Sequence, residues 1–332
     1  MQRDSSQTKF LITAGIGLLT FGGLAMLKNK INGPKCNLKR DLTDKVIIVT
    51  GANTGLGKET ARALALSNAT VILACRDENK GQLAAKEIEA ETKNKNIHVM
   101  KLDLCDLSSI AHFAKTFKSQ FSKLNVLIHN AGIMPVERNT SVDGFESAFS
   151  VHHFGPVYLT YLLIDVLEAA KPSRVIFVNS GLYKRGKINW EDLQLEKNYN
   201  GDKAYQTSKL ASNMFIRELN KRLEGKGIKV VSVRPGMVRT EIGRYVLEDF
   251  KKRVLLKIFY PLWWFITRDV TAGSQAILFC TLIDYEKLEG GSFYGNCKVE
   301  SWKSDAQNDQ DCKRMYDMTL HILNSKNLQI EF

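Results

Sequence analysis

Proline is scarce in this chain, with 6 in 332 residues, and acidic side chains are outnumbered, 35 Asp and Glu against 47 Lys and Arg. Collagen-like and Pro-rich extended architectures are therefore excluded. Internal repeats and low-complexity tracts are missing, which removes solenoids and propellers. The 6 cysteines (Cys36, Cys75, Cys105, Cys280, Cys297 and Cys312) form no CxxC pair, so neither a zinc ribbon nor a redox dithiol is indicated and no metal is expected. Cys75 ends an apolar run and Cys105 follows another, positions that suit small reduced thiols rather than a disulfide framework. The formal net charge of +12 lacks the companions of a nucleic-acid surface, since no zinc-finger spacing and no long basic helix occurs. What remains for that charge is an anionic membrane surface or an anionic ligand. A hydrophobic fraction of 44% and a charged fraction of 25% are ordinary for a chain with a packed core.

One long uncharged run is present, Phe10–Leu27 (FLITAGIGLLTFGGLAML). Its 18 residues would span roughly 27 Å as a helix, just enough for a bilayer core. Residues 1–9 thus read as a short tail, 10–27 as a transmembrane anchor and 28–43 as a basic juxtamembrane linker. A cleaved signal peptide, with small residues near Gly23 and Ala25, and a buried helix are the competing readings. Lys28, Lys30, Lys35, Lys39 and Arg40 follow the run, whereas only Arg3 and Lys9 precede it. That bias places the remainder of the chain in the cytosol, on a membrane such as the endoplasmic reticulum.

Beyond Gly33-Pro34, short β-rich runs alternate with amphipathic stretches. Strands are expected at Lys45–Thr50, Thr70–Cys75, Ile97–Leu102, Val126–His129, Arg174–Val178 and Lys229–Val233. Helices are expected at Leu56–Leu66, Glu78–Thr92, Leu107–Phe121, Gly144–Ala169 and Ala204–Leu223. The alternation predicts an α/β fold over residues 44–332, a Rossmann-like doubly wound parallel sheet with helices on both faces.

The chemistry lies at the strand ends. The first strand runs into Gly51, Ala52, Asn53, Thr54, Gly55, Leu56 and Gly57, a GxxxGxG turn. Glycines permit a tight turn and close approach to a pyrophosphate, while the following helix aims its first N–H groups at the anion. Alone, the pattern is as often a plain turn; its place on the first strand-to-helix crossover gives it weight. Arg76 ends the second strand, one residue before Asp77. An Arg there accommodates a 2′-phosphate, so NADP is favoured over NAD, with Lys58 nearby. The plain alternative is a solvated Arg paired with Asp77. Asn130, Ala131 and Gly132 end the fourth strand, where a nicotinamide ribose would lie. Ser180 follows the fifth strand at the opening of the ligand crevice. Pro235, Gly236, Val238 and Thr240 follow the sixth. Tyr205 and Lys209, spaced i,i+4, share one helix face. A neighbouring ammonium and a nicotinamide cation would favour the phenolate, making Tyr205 a usable acid/base. YxxxK alone is commonly a surface pair.

Taken in order, TGxxxGxG, Asp103-Leu104, Asn-Ala-Gly, Ser, YxxxK and Pro-Gly resemble the short-chain dehydrogenase/reductase superfamily from about Asp44 to Tyr316. The wording VIVTGANTGLGKETARALA, ILACRD, INWEDLQLEKNYN and AYQTSKLASNMF resembles its membrane-anchored retinol dehydrogenase branch. The resemblance implies NADP(H), hydride transfer and a lipophilic alcohol or carbonyl substrate such as a retinoid, another lipid aldehyde or a steroid. It implies that Ser180 positions the substrate oxygen, Tyr205 exchanges its proton and Lys209 holds the ribose. It also implies that Asn53 and Arg76 flank the adenosine phosphate and that Asp103 faces the adenine. A homo-oligomer is compatible with it.

Two departures from the superfamily stand out. His152 takes the place of an Asn that holds a water beside the lysine; it is expected to bind that water while neutral, though a packed histidine without a role is the bland alternative. Pro156 falls inside the helix Gly144–Ala169 and should kink or break it. The segment 251–268 (KKRVLLKIFYPLWWFITR) lies where the superfamily carries a substrate lid, and its basic, apolar character suits contact with membrane lipid as well as ordinary packing. A catalytically weak cofactor-binding protein with a sensing or scaffolding role is the alternative from another class. A nucleotide-sugar epimerase would need more chain after Pro235.

Overall fold

In the computed structural model, described over residues 26–239 and 260–332, the strand ends converge as the alternation requires. Along the chain run β1 (Val46–Thr50), α1 (Gly55–Ala65), β2 (Thr70–Cys75), α2 (Glu78–Thr92), β3 (Ile97–Lys101), α3 (Leu107–Gln120) and β4 (Val126–His129). A short helical turn, Ser147–Phe149, and a π-helical segment, Ser150–Phe154, lead into α4 (Gly155–Leu162) and α5 (Ile164–Ala169). Then follow β5 (Ser173–Val178), α6 (Gly201–Leu223), β6 (Ile228–Arg234), α7 (Tyr260–Ile266), α8 (Val270–Leu282), β7 (Phe293–Gly295), β8 (Lys298–Glu300) and α9 (Asp309–Asn324).

The sheet order is β3-β2-β1-β4-β5-β6-β7-β8. Every pairing is parallel except β7 with β8, a hairpin that turns the last strand antiparallel. Alternation along β1 assigns the two faces. Ile48 packs with Ile110, Val157, Leu210 and Met315 of α3, α4, α6 and α9. Ile47 and Val49 pack with Leu64, Ile88 and Ile277 of α1, α2 and α8. Both faces are thus covered, which is why the strands read as near-continuous apolar runs. Helix starts are fixed by acidic or amide caps. Asp77 accepts from the Lys80 amide, Asp106 from Ser108 and Ser109, and Asn200 from Lys203, each worth about 1 kcal/mol.

The continuous helix expected over Gly144–Ala169 does not form. Pro156 has no amide to bond one turn back, and the chain widens into the π segment just before it, with the Gly155 amide donating to the Ser150 carbonyl. The same turn presses against the loop after β3. A Cβ on Gly155 would lie 2.8 Å from the Leu104 carbonyl, which also accepts from the Ser150 hydroxyl at 2.9 Å. The expected anchor at 10–27 lies outside the described residues except for Met26 and Leu27, as do positions 251–259 of the expected lid. No helix among the described residues is long and apolar enough to cross a membrane.

Three histidines are sealed inside the protein, His129, His152 and His153, none more than 4% exposed. Burial lowers His129 and His153 to about 3 and holds His152 well below the ordinary value, with Lys209 adding to the shift for His129 and His152. An unfolded chain takes up these protons near pH 6.5, whereas the native chain refuses them until far lower pH. The native state therefore binds fewer protons in that window, and stability falls as pH falls. We expect urea denaturation to give an unfolding free energy lower at pH 5 than at pH 7 by about 2 kcal/mol per histidine. His153→Gln should remove about one such increment from the pH dependence; an unchanged slope would show that this ring is protonated in the native state.

Candidate active site

The glycine turn closes on the end of β4. Thr50 Oγ1 accepts from the amides of Asn130 and Ala131, both at 3.0 Å, and Asn130 Nδ2 donates to the carbonyls of Thr50 at 2.9 Å and Gly51 at 3.3 Å. Gly51 has φ +64°, and a Cβ there would lie 2.9 Å from Ala131 Cα. A Cβ on Gly57 would lie 2.4 Å from Asn130 Nδ2 and 2.5 Å from the Gly51 carbonyl. The two glycines are thus required by backbone approach, and Asn130 is the pin that holds the turn. Thr54 begins α1 without a side-chain cap, and the first turn carries no acid, so the helix start is suited to an anion. These features fit the pyrophosphate of a dinucleotide.

Around the adenosine end, the structure separates residues that the sequence left in competition. Asp77 is engaged as the cap of α2 and pairs with Lys80 at 3.7 Å. Arg76 is exposed at the tip of β2. Lys58 is paired with Glu87, so it supports a phosphate site less than its spacing suggested. Asn53 and Leu56 lie in the same turn, half-buried and buried. Asp103 caps its own loop, accepting from the Cys105 amide at 2.9 Å, and Leu104 is buried beneath the π segment. Gly132 is partly exposed beyond Ala131. Pro235 and Gly236 follow β6, and Val238 bridges to Arg268. Thr240 lies outside the described residues.

Ser180, Tyr205 and Lys209 come together at the ends of β5 and α6. Ser180 starts a 3-10 turn, its hydroxyl accepting from the Leu182 amide at 3.2 Å. Tyr205 and Lys209 are 8% and 5% exposed. Lys209 Nζ donates to the Val178 carbonyl at 2.9 Å. Burial lowers the lysine from its ordinary value to about 7. Burial raises the Tyr205 phenol, against a hydrogen bond from Ser180 that favours its ionisation. The sequence expectation, that a lysine ammonium would tip the tyrosine toward phenolate, is therefore outweighed by desolvation in the protein alone.

His152 differs from its expected role. Its Nε2 accepts from the Ile133 amide at 3.0 Å, so the neutral ring carries its proton on Nδ1 and donates to Ser208 Oγ at 2.9 Å. Ser208 in turn donates to the Tyr205 carbonyl at 3.0 Å. The imidazole also meets the Tyr205 ring edge-on, with 5.3 Å between centroids. Neither ring nitrogen remains for the water that the sequence assigned to it. The neutral state was expected from repulsion by Lys209, but burial is the larger cause.

Sequence reading missed Ile133 and Ser208, which complete this contact. Ile133 acts through its amide, which no side-chain pattern reveals. Ser208 could have been found as a polar residue on the same buried face as Tyr205. Arg268 was missed as well. It donates to the carbonyls of Ile31 at 2.8 Å and Pro235 at 3.1 Å and to Asn296 Oδ1 at 2.7 Å, joining three remote segments beside Gly236.

Residues 45–250 match the short chain dehydrogenase family. The human protein named retinol dehydrogenase 12 is 39% identical over 318 residues, covering 94% of this chain and 98% of that protein. Human retinol dehydrogenase 11 is 38% identical, covering 92% and 94%. Among solved structures, an uncharacterised protein from Mycobacterium Paratuberculosis superposes with a TM-score of 0.70 at 31% identity, covering 87% of this chain and 97% of that one. A Beutenbergia cavernae protein described as an NAD(P) dependent gluconate 5-dehydrogenase, with NADP bound at low occupancy, superposes at 0.61 and 20% identity, covering 77% and 96%, a likeness of fold.

The contacts of His152 lead to a sharp expectation. An Asn amide can accept from Ile133 and donate to Ser208, so pH–rate profiles of wild type and His152→Asn should coincide from about pH 6 to 8. His152→Ala leaves the Ile133 amide without its partner and should cost about 1–3 kcal/mol of stability, with a drop in kcat. An acid limb present in wild type and missing in the Asn variant would restore a titrating role to the ring.

Proposed function

Because this chain belongs to the short chain dehydrogenase family, we propose that it transfers a hydride between NADP(H) and an apolar alcohol or carbonyl compound at the Ser180–Tyr205–Lys209 centre. It is an oxidoreductase related to the retinol dehydrogenases, of a family that uses nicotinamide dinucleotides. The observation that carries the reading is the placement of a buried tyrosine, a serine hydroxyl and a buried lysine at the end of the same sheet as the glycine turn.

NADP(H), when bound, supplies or receives the hydride. Gly51, Thr54, Gly55, Leu56 and Gly57 would hold its pyrophosphate and Asn53 and Arg76 its 2′-phosphate. Asp103 and Leu104 would border the adenine. Asn130, Ala131 and Gly132, with Pro235, Gly236, Val238 and Thr240, would border the nicotinamide half, and Lys209 the ribose. An exposed Arg76 next to an Asp77 that is committed to capping α2 supports a preference for the 2′-phosphate.

Tyr205 holds a proton firmly, since burial raises its phenol. It is poised to donate that proton to a carbonyl oxygen that gains negative charge as reduction proceeds. Ser180 orients that oxygen. Lys209, low enough to exchange a proton near neutral pH, returns one to the site. His152 is a positioning residue: it ties the loop after β4 to α6 and so fixes Tyr205 relative to the nicotinamide side.

Lipophilic substrates, retinal-like, lipid aldehyde or steroid, fit the relationship to the retinol dehydrogenases. A membrane anchor at residues 10–27, with the remainder in the cytosol at the endoplasmic reticulum, fits the uncharged run and its basic flank. The non-catalytic alternative, motivated by His152 and Pro156, is opposed by the intact set of Ser180, Tyr205 and Lys209.

The test is a panel of apolar aldehydes with NADPH and NADH in parallel. NADPH should be preferred, and Arg76→Ala should raise its KM roughly 10- to 100-fold, the worth of a charge-assisted phosphate contact, leaving NADH nearly unchanged. Tyr205→Phe should abolish turnover yet retain NADPH binding by fluorescence. Equal use of both cofactors by wild type removes the Arg76 assignment, and a Phe variant of near-normal rate removes the mechanism.

A further inference from the structure

Large apolar side chains stand exposed at 11 places among the described residues, and 5 of them fall on segments that are joined to one another: Met26, Leu27, Met237, Trp264 and Ile266. Their exposures are 76%, 49%, 50%, 48% and 39%. The helical stretch 26–32 reaches the end of α7 through Lys28, whose ammonium donates to the carbonyls of Trp264 at 2.8 Å, Phe265 at 3.1 Å and Thr267 at 2.6 Å. Arg239 caps the same end, donating to the carbonyls of Trp264 at 2.9 Å and Thr267 at 2.8 Å. Cations at a helix C-terminus satisfy its last carbonyls and meet the negative end of its dipole. Both cations also face the Trp264 indole, at 4.7 Å for Lys28 and 5.5 Å for Arg239. Met237 joins the patch because its carbonyl accepts from the Arg268 amide at 2.7 Å, directly after α7.

We propose that this composite face, built from residues 26–28, 237–239 and the end of α7, is where the protein lies against an anionic lipid bilayer. The inference rests on the membrane attachment proposed above and adds a second, distinct contact. Chain continuity selects the occupant. The uncharged run Phe10–Leu27 ends on this face, so a bilayer holding that run must begin within a few residues of Trp264. The chemistry agrees, for a half-exposed indole backed by a lysine and an arginine combines an apolar body with local positive potential, which suits the headgroup layer of an anionic bilayer. Lys28 fixes the spacing, since it is both the first charge after the apolar run and the cap of α7. The bilayer contact is thereby placed beside the Pro235–Val238 loop, through Arg268, which bonds the Pro235 carbonyl.

Tryptophan quenching by lipids brominated near the headgroup tests this on the full chain in phosphatidylserine-containing vesicles. The wild type should co-sediment and be quenched, and Trp264→Phe should lose more of that quenching than Trp263→Phe, its half-buried neighbour, or Trp190→Phe. Lys28→Glu should weaken quenching on these vesicles, with turnover of a water-soluble aldehyde unchanged. Co-sedimentation with Trp264→Phe quenched like wild type overturns the face while leaving the anchor standing. Quenching that follows Trp264 in a protein extracted by alkaline carbonate supports the face and overturns the spanning anchor. A detergent-stable dimer in which Trp264 is shielded from brominated lipid overturns the proposal in favour of a second copy of the chain.

Discussion

The approach of β1 to β4 at their carboxyl ends is the constraint on which the site depends. In the order β3-β2-β1-β4-β5-β6 the connections run outward in opposite directions from these two strands, so a crevice opens between their ends. Keeping it open to a ligand yet narrow in backbone requires that nothing project into the seam. Gly51 and Gly57 meet that requirement by lacking a Cβ, and Thr50 and Asn130 hold it with four hydrogen bonds between the strand ends. Ile133 sits three residues past Asn130 on the same loop, and its amide reaches His152. The cofactor turn and the tyrosine helix are thus connected through one short piece of chain.

Desolvation dominates the charges of the centre. Lys209 lies at the floor, bonded to Val178, with two imidazoles whose protonation it opposes. Burial acts on the lysine and the phenol in opposite senses, down for Lys209 and up for Tyr205, because it disfavours an ammonium and a phenolate alike. The protein therefore presents a neutral, proton-holding tyrosine rather than a standing phenolate. Ser180 opposes the shift without reversing it. In so dry a place any charge on Lys209 or beside it acts more strongly than it would in water.

Much of this was legible from local pattern. β2, α2 and β4 begin and end where alternation and periodicity place them, and β1, β3, α1, α3 and α6 differ by only a few residues at their ends. These are elements whose apolar spacing is set by a two-sided core. The glycine turn, Ser180, Tyr205 and Lys209 were legible for another reason: their chemistry depends on side-chain type at a strand or helix end. The stretch from Gly144 to Ala169 was not, because its apolar residues continue unbroken while Pro156 redirects the hydrogen bonds into a π turn. Nor were β7, β8, α8 and α9 marked out. The strands are 3 residues each, and α8 is apolar on most sides, so neither carries the period of an amphipathic element.

The His152 contacts show why residue type alone misleads at an interior position. An imidazole reads as a titrating group because its unperturbed pKa lies near 6.5. That property requires access to solvent or to a partner that changes with pH. Here the lone pair of Nε2 is committed to a backbone amide and the Nδ1 proton to a hydroxyl, inside a core where the charged form is disfavoured by burial and by Lys209. Protonation would have to break the Ile133 bond and place a second cation beside a buried lysine. The ring then acts as an asymmetric amide would, one acceptor and one donor held at fixed separation, and its larger size is absorbed by packing edge-on against Tyr205. At this position the joint between the β4 loop and α6 is held by a neutral ring with one acceptor and one donor, both engaged, so the ring is fixed by its contacts rather than by its ability to titrate.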